Sequence, residues 1–126
     1  GLLVPVLRHA EARDPWSAAA EIARLAAAGR TGKATRAELG GSTITITSLG
    51  ALGGLASTPV INHPEVAILG VNRSELRPVV RDGAIVVRLM MNLSASFDHR
   101  IVDGHEGASL VQSIKGLLEH PATIFL

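Results

Sequence analysis

The 126-residue chain contains no cysteine, and aromatic residues make up only 2% of it. The absence of cysteine excludes disulfides and thiolate metal sites, and it leaves the redox compartment undetermined. With so few aromatic rings, leucine, valine, isoleucine and alanine must fill the core, and 47% of all residues are hydrophobic. This length and composition indicate a single folded domain or part of one.

The chain also lacks an excess of charge of one sign, since its net charge is +1 and acids and bases are mixed along it. This balance gives no electrostatic case for binding nucleic acid or an anionic membrane. No cleavable signal is visible, and no uninterrupted apolar run is long enough to span a bilayer. We therefore expect a soluble, cytoplasmic protein that binds neither nucleic acid nor membrane.

Hydrophobic periodicity predicts a mixture of strands and helices. The predicted strands are residues 2–7, 42–48, 66–71, 77–80 and 84–97, the last two joined by a hairpin turn at Arg81-Asp82-Gly83. Helices are predicted from Pro15 to about Ala28, ended by Gly29, and from Asp103 to Pro121, with a capped single turn at 35–38. Their order indicates an α/β or α+β layered fold.

The most informative stretch is the string Ser96-Phe97-Asp98-His99-Arg100-Ile101-Val102-Asp103-Gly104. A hydrophobic strand leads into His99, and a helix begins four residues later. A lone histidine at a strand end is more often structural. Here the strand before His99 and the helix start after it fix its position, which favours a role as a general base. Taking a thiol proton onto imidazole is uphill by about two pKa units, or about 2.7 kcal/mol. A positioned histidine can accept that proton as nucleophilic attack proceeds, so thiol chemistry suits His99.

The acidic residues beside His99 have structural interpretations as well. Asp103 is predicted to cap the last helix, and it could also orient groups of a site through charge-assisted hydrogen bonds. Asp98 and Arg100 are interpreted as a structural ion pair. None of the other histidines has a second ligand at metal spacing, so we expect no metal.

The string Asp98–Gly104 resembles the DHRxxDG signature of the dihydrolipoamide acyltransferases, the core components of 2-oxo-acid dehydrogenase complexes. Chloramphenicol acetyltransferases and peptide-synthetase condensation domains share a related HxxxDG. Three upstream segments are similar to the acyltransferases in the same order, and the four segments together are highly specific. These upstream segments are Leu3–Val6, Thr45–Gly50 and Pro64–Val71.

The resemblance implies a chloramphenicol-acetyltransferase-like fold, a mixed sheet with helices packed on it. The family's catalytic domain is roughly twice as long as this chain, and residues 2–7 begin directly in a predicted strand. We therefore expect residues 1–126 to be the C-terminal part of that domain. The N-terminal half and the lipoyl and subunit-binding domains are then absent.

The resemblance also implies a reaction, in which an acyl group moves between the dihydrolipoyl-lysine of a lipoyl domain and coenzyme A. His99 would accept the thiol proton, and a hydroxyl would stabilise the tetrahedral oxyanion. That hydroxyl is a serine in many members and falls on Thr47 here, with Ser48 as runner-up. Ser48 and Gly70 lie in segments that line the coenzyme A side in relatives.

By the family pattern, His99 and Thr47 meet across a subunit interface within a homotrimer. Trimers then assemble into a cubic or icosahedral core of 24 or 60 subunits, the numbers that these point groups generate. The implied partners are the lipoyl domain and the dehydrogenase and dihydrolipoamide dehydrogenase components. Two alternatives stay open: a structural core without activity, and a chloramphenicol-acetyltransferase-like enzyme with a small hydroxyl acceptor. The acyl group, whether acetyl, succinyl or branched-chain, is not determined.

Overall fold

A computed structural model describes residues 1–125 of the chain. It divides into two compact units, Gly1–Thr43 and the segment that begins at Ile44. In that described part, no helix is long and apolar enough to cross a membrane. Short 3₁₀ turns accompany the regular elements, at Ala10–Ala12, Arg36–Leu39, Gly50–Leu52 and Pro121–Phe125.

The first unit is built around helix α1, Pro15–Arg30. Its start is as predicted, because the Asp14 side chain accepts hydrogen bonds from the first-turn backbone and proline occupies the first position. The predicted stop at Gly29 is wrong. Gly32 ends the helix instead: its φ of 68° is left-handed, and the Lys33 N–H donates back to the Ala28 carbonyl at 2.8 Å.

Residues 2–7 do not form the predicted strand. A strand needs a neighbouring strand to satisfy its backbone groups, and the first unit contains none. The segment is tied down at single points: the Val6 N–H donates to the Glu38 carbonyl at 2.8 Å, and the Arg8 guanidinium donates to two further carbonyls of residues 37–40. The capping box between Thr35 and Glu38 is confirmed.

The second unit contains a three-stranded sheet with the order β1-β2-β5. Strand β1, Thr45–Ser48, is parallel to β2, Ala67–Val71, and β5, Leu93–Phe97, is antiparallel to β2. Four hydrophobic side chains are buried among residues 1–125, and the central strand β2 carries three of them, Ala67, Ile68 and Leu69. Its continuous apolar sequence therefore follows from its position between two neighbours.

The predicted hairpin consists of β3, Glu75–Arg81, and β4, Ala84–Met90. Asp82 and Gly83 have φ values of 50° and 78°, the left-handed pair that a two-residue turn of this twist requires. The predicted continuous strand 84–97 is wrong, because its first part pairs with β3 and its last part pairs with β2 in a different sheet. One hairpin face is apolar and 66–78% exposed, formed by Leu76, Val80, Ile85, Val87 and Leu89.

Helix α2, Gly104–Glu119, begins at a capping box between Asp103 and Glu106, as predicted. It ends at Glu119, and Pro121 opens the following 3₁₀ turn. Gly107 is buried on the side of α2 that meets β5. A Cβ atom at this position would lie 2.9 Å from the ring of Phe97, so only glycine permits this close approach.

Two glycines of α2 should respond in opposite ways to substitution by alanine. Gly116→Ala meets no atom within 4 Å and should stabilise the fold by up to about 1 kcal/mol through helix propensity. Gly107→Ala gains the same propensity but forces the Phe97 ring aside, an overpacking cost of about 1–3 kcal/mol, so it should destabilise. Urea unfolding of both variants measures the difference. A Gly107→Ala protein as stable as Gly116→Ala would contradict the close packing.

Candidate functional site

His99 lies in a turn, residues 98–103, that joins β5 to α2; we refer to it as the His99 turn. The Asp98 N–H donates to the Val66 carbonyl at 2.8 Å and so extends the pairing of β5 with β2. The Asp98 carbonyl then accepts from the N–H groups of Ile101 and Val102, each at 2.9 Å. His99 is exposed between these anchors.

The ion pair predicted between Asp98 and Arg100 is present within the His99 turn. Arg100 Nε donates to Oδ1 of Asp98 at 2.9 Å and Nη2 donates to Oδ2 at 2.6 Å, a bidentate contact. The Arg100 backbone N–H adds a third bond at 3.1 Å. The Arg100 side chain, followed by this backbone bond, lowers the pKa of Asp98 to about 2. The turn is thereby fixed by charge-assisted bonds on either side of His99.

Asp103 closes the other end of the His99 turn. Its Oδ1 accepts from the Glu106 N–H at 2.8 Å, while Glu106 Oε2 accepts from the Asp103 N–H at 3.3 Å. The carboxylate of Asp103 therefore holds the first turn of α2 and, through it, the exit from the His99 turn. Its further part in a site stays a prediction.

Thr47 is half-buried on β1 and borders a cavity of about 290 Å³. The cavity is also lined by Ser48 and by Ser57, Thr58 and Pro59, which lie between the 3₁₀ turn at Gly50–Leu52 and β2. Asn72, only 6% exposed, lies at the end of β2 and lines it as well. Hydroxyl and amide groups thus surround Thr47 on one side.

Ser48 and Gly70, the two residues predicted to lie in segments that contact coenzyme A, differ in their relation to the cavity. Ser48 lines the cavity, and its Oγ accepts from the Gly50 N–H at 3.1 Å. Gly70 is buried and is not among the cavity-lining residues; a Cβ there would lie 2.6 Å from Ser57 Oγ. Gly70 therefore permits Ser57 to pack directly on the backbone of β2.

The cavity-lining residues Ser57, Thr58 and Asn72 belong to no motif that is recognisable in the sequence. The sequence does contain one indirect indication of these residues, in β5, where Ser94 and Ser96 alternate with apolar residues. Alternating hydroxyls on a half-buried strand indicate polar partners above one face. The partner segment itself has no periodic pattern that sequence could reveal.

Within one chain, Thr47 and His99 lie towards opposite ends of the sheet. Thr47 is aligned with Gly70, and Gly70 with Ser94, near the start of β5. His99 follows Phe97, at the other end of that strand. With about 3.3 Å per residue and about 4.8 Å between strands, the backbones of Thr47 and Phe97 are about 14 Å apart. The sheet therefore does not bring the two predicted catalytic residues together.

The sequence profile of the family described as "2-oxoacid dehydrogenases acyltransferase (catalytic domain)" matches residues 1–126. The chain belongs to this family. This confirms the family predicted from the His99 string and its upstream segments. Within residues 1–125 of this acyltransferase-family chain, no three histidine, aspartate or glutamate side chains are grouped closely enough to hold a metal ion.

One curated relative is the lipoamide acyltransferase component of the branched-chain alpha-keto acid dehydrogenase complex of Pseudomonas aeruginosa, 69% identical over 126 residues. The alignment covers all of this chain and 29% of that protein. This chain thus spans about three-tenths of the length of such relatives.

Two solved structures match the acyltransferase-family chain throughout its length. One is the dihydrolipoamide acetyltransferase of Azotobacter vinelandii, with 43% identity and a TM-score of 0.95. The other is the cubic core of a pyruvate dehydrogenase multienzyme complex, with 42% identity and a TM-score of 0.96. Each match covers 100% of this chain and 52% of the other. The predicted α/β fold, a mixed sheet with packed helices, is confirmed.

The Asp98–Arg100 ion pair in the His99 turn should make the stability of the fold depend on pH. Because the pKa of Asp98 is lowered, the ionised carboxylate stabilises the folded chain at pH values above the ordinary aspartate pKa of about 3.9. This stabilisation is lost as the pH falls towards about 2. In Arg100→Gln the pKa of Asp98 should rise towards about 3.9, as followed by carboxyl ¹³C shifts. Arg88→Gln, on exposed β4, is the control. An Asp98 pKa still near 2 in Arg100→Gln would contradict this assignment.

Proposed function

We propose that this chain forms part of an acyltransferase that moves an acyl group between a dihydrolipoyl-lysine and coenzyme A. The observation that carries the proposal is the His99 turn. It presents an exposed imidazole between two hydrogen-bonded anchors, in a chain of the acyltransferase family. A general base needs such a fixed position at the reacting proton.

In the proposed reaction, His99 takes the proton from the thiol of coenzyme A as its sulfur attacks the thioester of the acylated lipoyl group. The carbonyl oxygen gains negative charge in a tetrahedral intermediate. This intermediate collapses by breaking the bond to the lipoyl sulfur, which receives the proton from the imidazolium. The acyl group ends on coenzyme A, and the dihydrolipoyl thiol is released. Protons balance, and no metal is required.

We assign Thr47 as the hydroxyl donor to that oxyanion, with Asp103 as a further site residue. The Azotobacter enzyme was studied for the roles of a serine, a histidine and an asparagine in its mechanism. The interval from that serine to that histidine equals the interval from Thr47 to His99. The asparagine follows the histidine by the same interval that separates Asp103 from His99. This agreement in spacing supports both assignments.

We further propose that His99 of one copy works with Thr47 of another in a homotrimer, since the two lie towards opposite ends of the sheet within one chain. The similarity to a cubic core supports assembly of the trimers into a larger core, for which we propose 24 or 60 subunits. The lipoyl domain and the dehydrogenase and dihydrolipoamide dehydrogenase components are the proposed partners. Residues 1–126 are proposed as the C-terminal part of the catalytic domain, consistent with a match to 52% of the solved chains. The cytoplasmic location stays a prediction.

Replacement of His99 is the direct test of the general base. His99→Ala in the full-length protein should slow acyl transfer to free dihydrolipoamide by about 10²- to 10⁴-fold. Donors are isobutyryl-CoA and acetyl-CoA, because both kinds of complex occur among the relatives. His105→Gln, an exposed position on α2, is the control. Rates that are equal to the uncatalysed background in both wild type and His99→Ala would leave only a structural core. Acetylation of chloramphenicol without use of dihydrolipoamide would favour the small-hydroxyl alternative.

Replacement of Thr47 tests the oxyanion donor. Thr47→Val keeps the shape but removes the hydroxyl, and it should raise the transition-state barrier by about 3–4 kcal/mol without dissociating the assembly. Thr47→Ser keeps the donor and should retain most of the rate. Steady-state kinetics and particle mass in solution measure both effects. A Thr47→Val rate close to wild type would reject this role for Thr47.

A further inference from the structure

Residues 54–59, which we refer to as the strap, run along one face of β5 without joining the sheet. Side chains at alternate positions hold it in place: Asn92, which directly precedes β5, and Ser94 and Ser96 within the strand. Because alternate residues of a strand share a face, these contacts follow the strap in steps of two residues. The contacts are Asn92 Nδ2 to the Leu55 carbonyl (2.9 Å), the Ser57 N–H to Ser94 Oγ (3.1 Å) and Ser96 Oγ to the Pro59 carbonyl (2.6 Å).

Ser94 is the central contact of this series. Its Oγ accepts from the Ser57 N–H and also from Nδ2 of Asn72, at 3.0 Å. Asn72 is buried, and the same amide nitrogen donates to the Asn92 carbonyl at 3.0 Å. Two N–H donors from different segments therefore fix one hydroxyl, which links the strap to the end of β2.

The strand backbone beneath the strap requires glycine at position 70. Gly70 lies between Thr47 and Ser94 in one row across the sheet. A Cβ at Gly70 would lie 2.6 Å from Ser57 Oγ and 3.5 Å from Ser94 Cβ. The first distance is a clash and the second is an ordinary contact, so Ser57 alone occupies the space that a side chain would need.

The strap is also a wall of the cavity beside Thr47, through Ser57, Thr58 and Pro59. Any displacement of the strap from β5 therefore changes the shape of the cavity next to the proposed oxyanion donor. Ser94 does not line the cavity itself. Its influence on the cavity is exerted through the strap and Asn72.

We propose that Ser94 is a positioning residue, which through the strap holds the cavity beside Thr47 in the shape that accepts coenzyme A. This inference rests on the proposed acyltransferase function. We name coenzyme A as the ligand because Ser48 lines the same cavity and is predicted to belong to a segment that contacts coenzyme A.

The first test is Ser94→Ala in the full-length protein. Loss of its hydrogen bonds should raise KM for coenzyme A about five- to tenfold, since one net hydrogen bond changes an equilibrium about fivefold. The kcat should change less than threefold, because the reacting groups remain. Ser113→Ala on exposed α2 is the control. A KM within twofold of wild type, even with a lower Tm, would overturn the proposal.

The second test uses Gly70 and Ser57 together. Gly70→Ala should displace the strap and raise KM for coenzyme A at least as much as Ser94→Ala does. Adding Ser57→Ala removes the clashing oxygen, and the double variant should recover most of that increase. An unrelieved increase in the double variant, at wild-type Tm, would contradict the role of the strap.

Two measurements that do not depend on acyl transfer test this inference separately from the proposed function. Absence of acyl transfer in the wild type would refute the proposed function alone. In that case, hydrogen exchange of the Ser57 amide and calorimetric binding of coenzyme A decide the inference. Ser94→Ala should exchange the Ser57 amide about tenfold faster and bind coenzyme A more weakly. Unchanged exchange or unchanged binding would overturn it.

Discussion

The second unit depends on the double pairing of strand β2. Hydrogen bonds to β1 on one side and to β5 on the other satisfy its backbone, so its side chains can be buried without cost to polar groups. Because β1 is parallel and β5 antiparallel to it, β2 also decides which ends of its neighbours lie together. Thr47 is held near the start of β5, and the His99 turn leaves from the far end. The positions of both proposed catalytic groups follow from this one strand.

The separation of those groups gives the proposed assembly a physical reason. A hydroxyl that stabilises an oxyanion and a base that takes a thiol proton must reach the same few atoms. The sheet of a single chain holds the backbones of Thr47 and of Phe97, the residue that leads into the His99 turn, about 14 Å apart. Contact between copies would supply the missing half of the site, and the exposed apolar face of the β3–β4 hairpin shows that the isolated chain leaves much surface uncovered.

The two proposed halves of the site are held rigid by different means. Local bonds hold the His99 turn: the Asp98–Arg100 ion pair and the Asp103–Glu106 capping box connect residues two or three positions apart. Tertiary bonds hold the cavity beside Thr47, because Ser94 joins segments 37 and 22 residues away in the chain. The bonds among Asp98, Arg100, Asp103 and Glu106 need only their own stretch of sequence. The bond that ties the His99 turn to Val66, and the cavity beside Thr47, both need β2 and β5 to be paired.

That difference explains which features could be predicted from sequence. The capping boxes, the Asp82-Gly83 turn and the Asp98–Arg100 pair were predicted correctly, since each depends on neighbouring residues and their intrinsic conformations. The His99 string together with the three upstream segments also indicated the family through their resemblance to its members, and this needed no knowledge of the tertiary structure. In the same way, the apolar run of β2 indicated a buried strand before its neighbours were known.

Only the tertiary structure decided the remaining features. Residues 2–7 have strand-like sequence but no strand beside them, and residues 84–97 divide because two different partners pair with their two ends. The end of helix α1 is a local exception, because the left-handed residue that ends it is Gly32 and not Gly29. The strap has no periodicity, and its place is set by side chains far along the chain. Sequence alone determined the local chemistry around His99, whereas long-range pairing determined what faces Thr47, because that pairing joins residues with no local reason to meet.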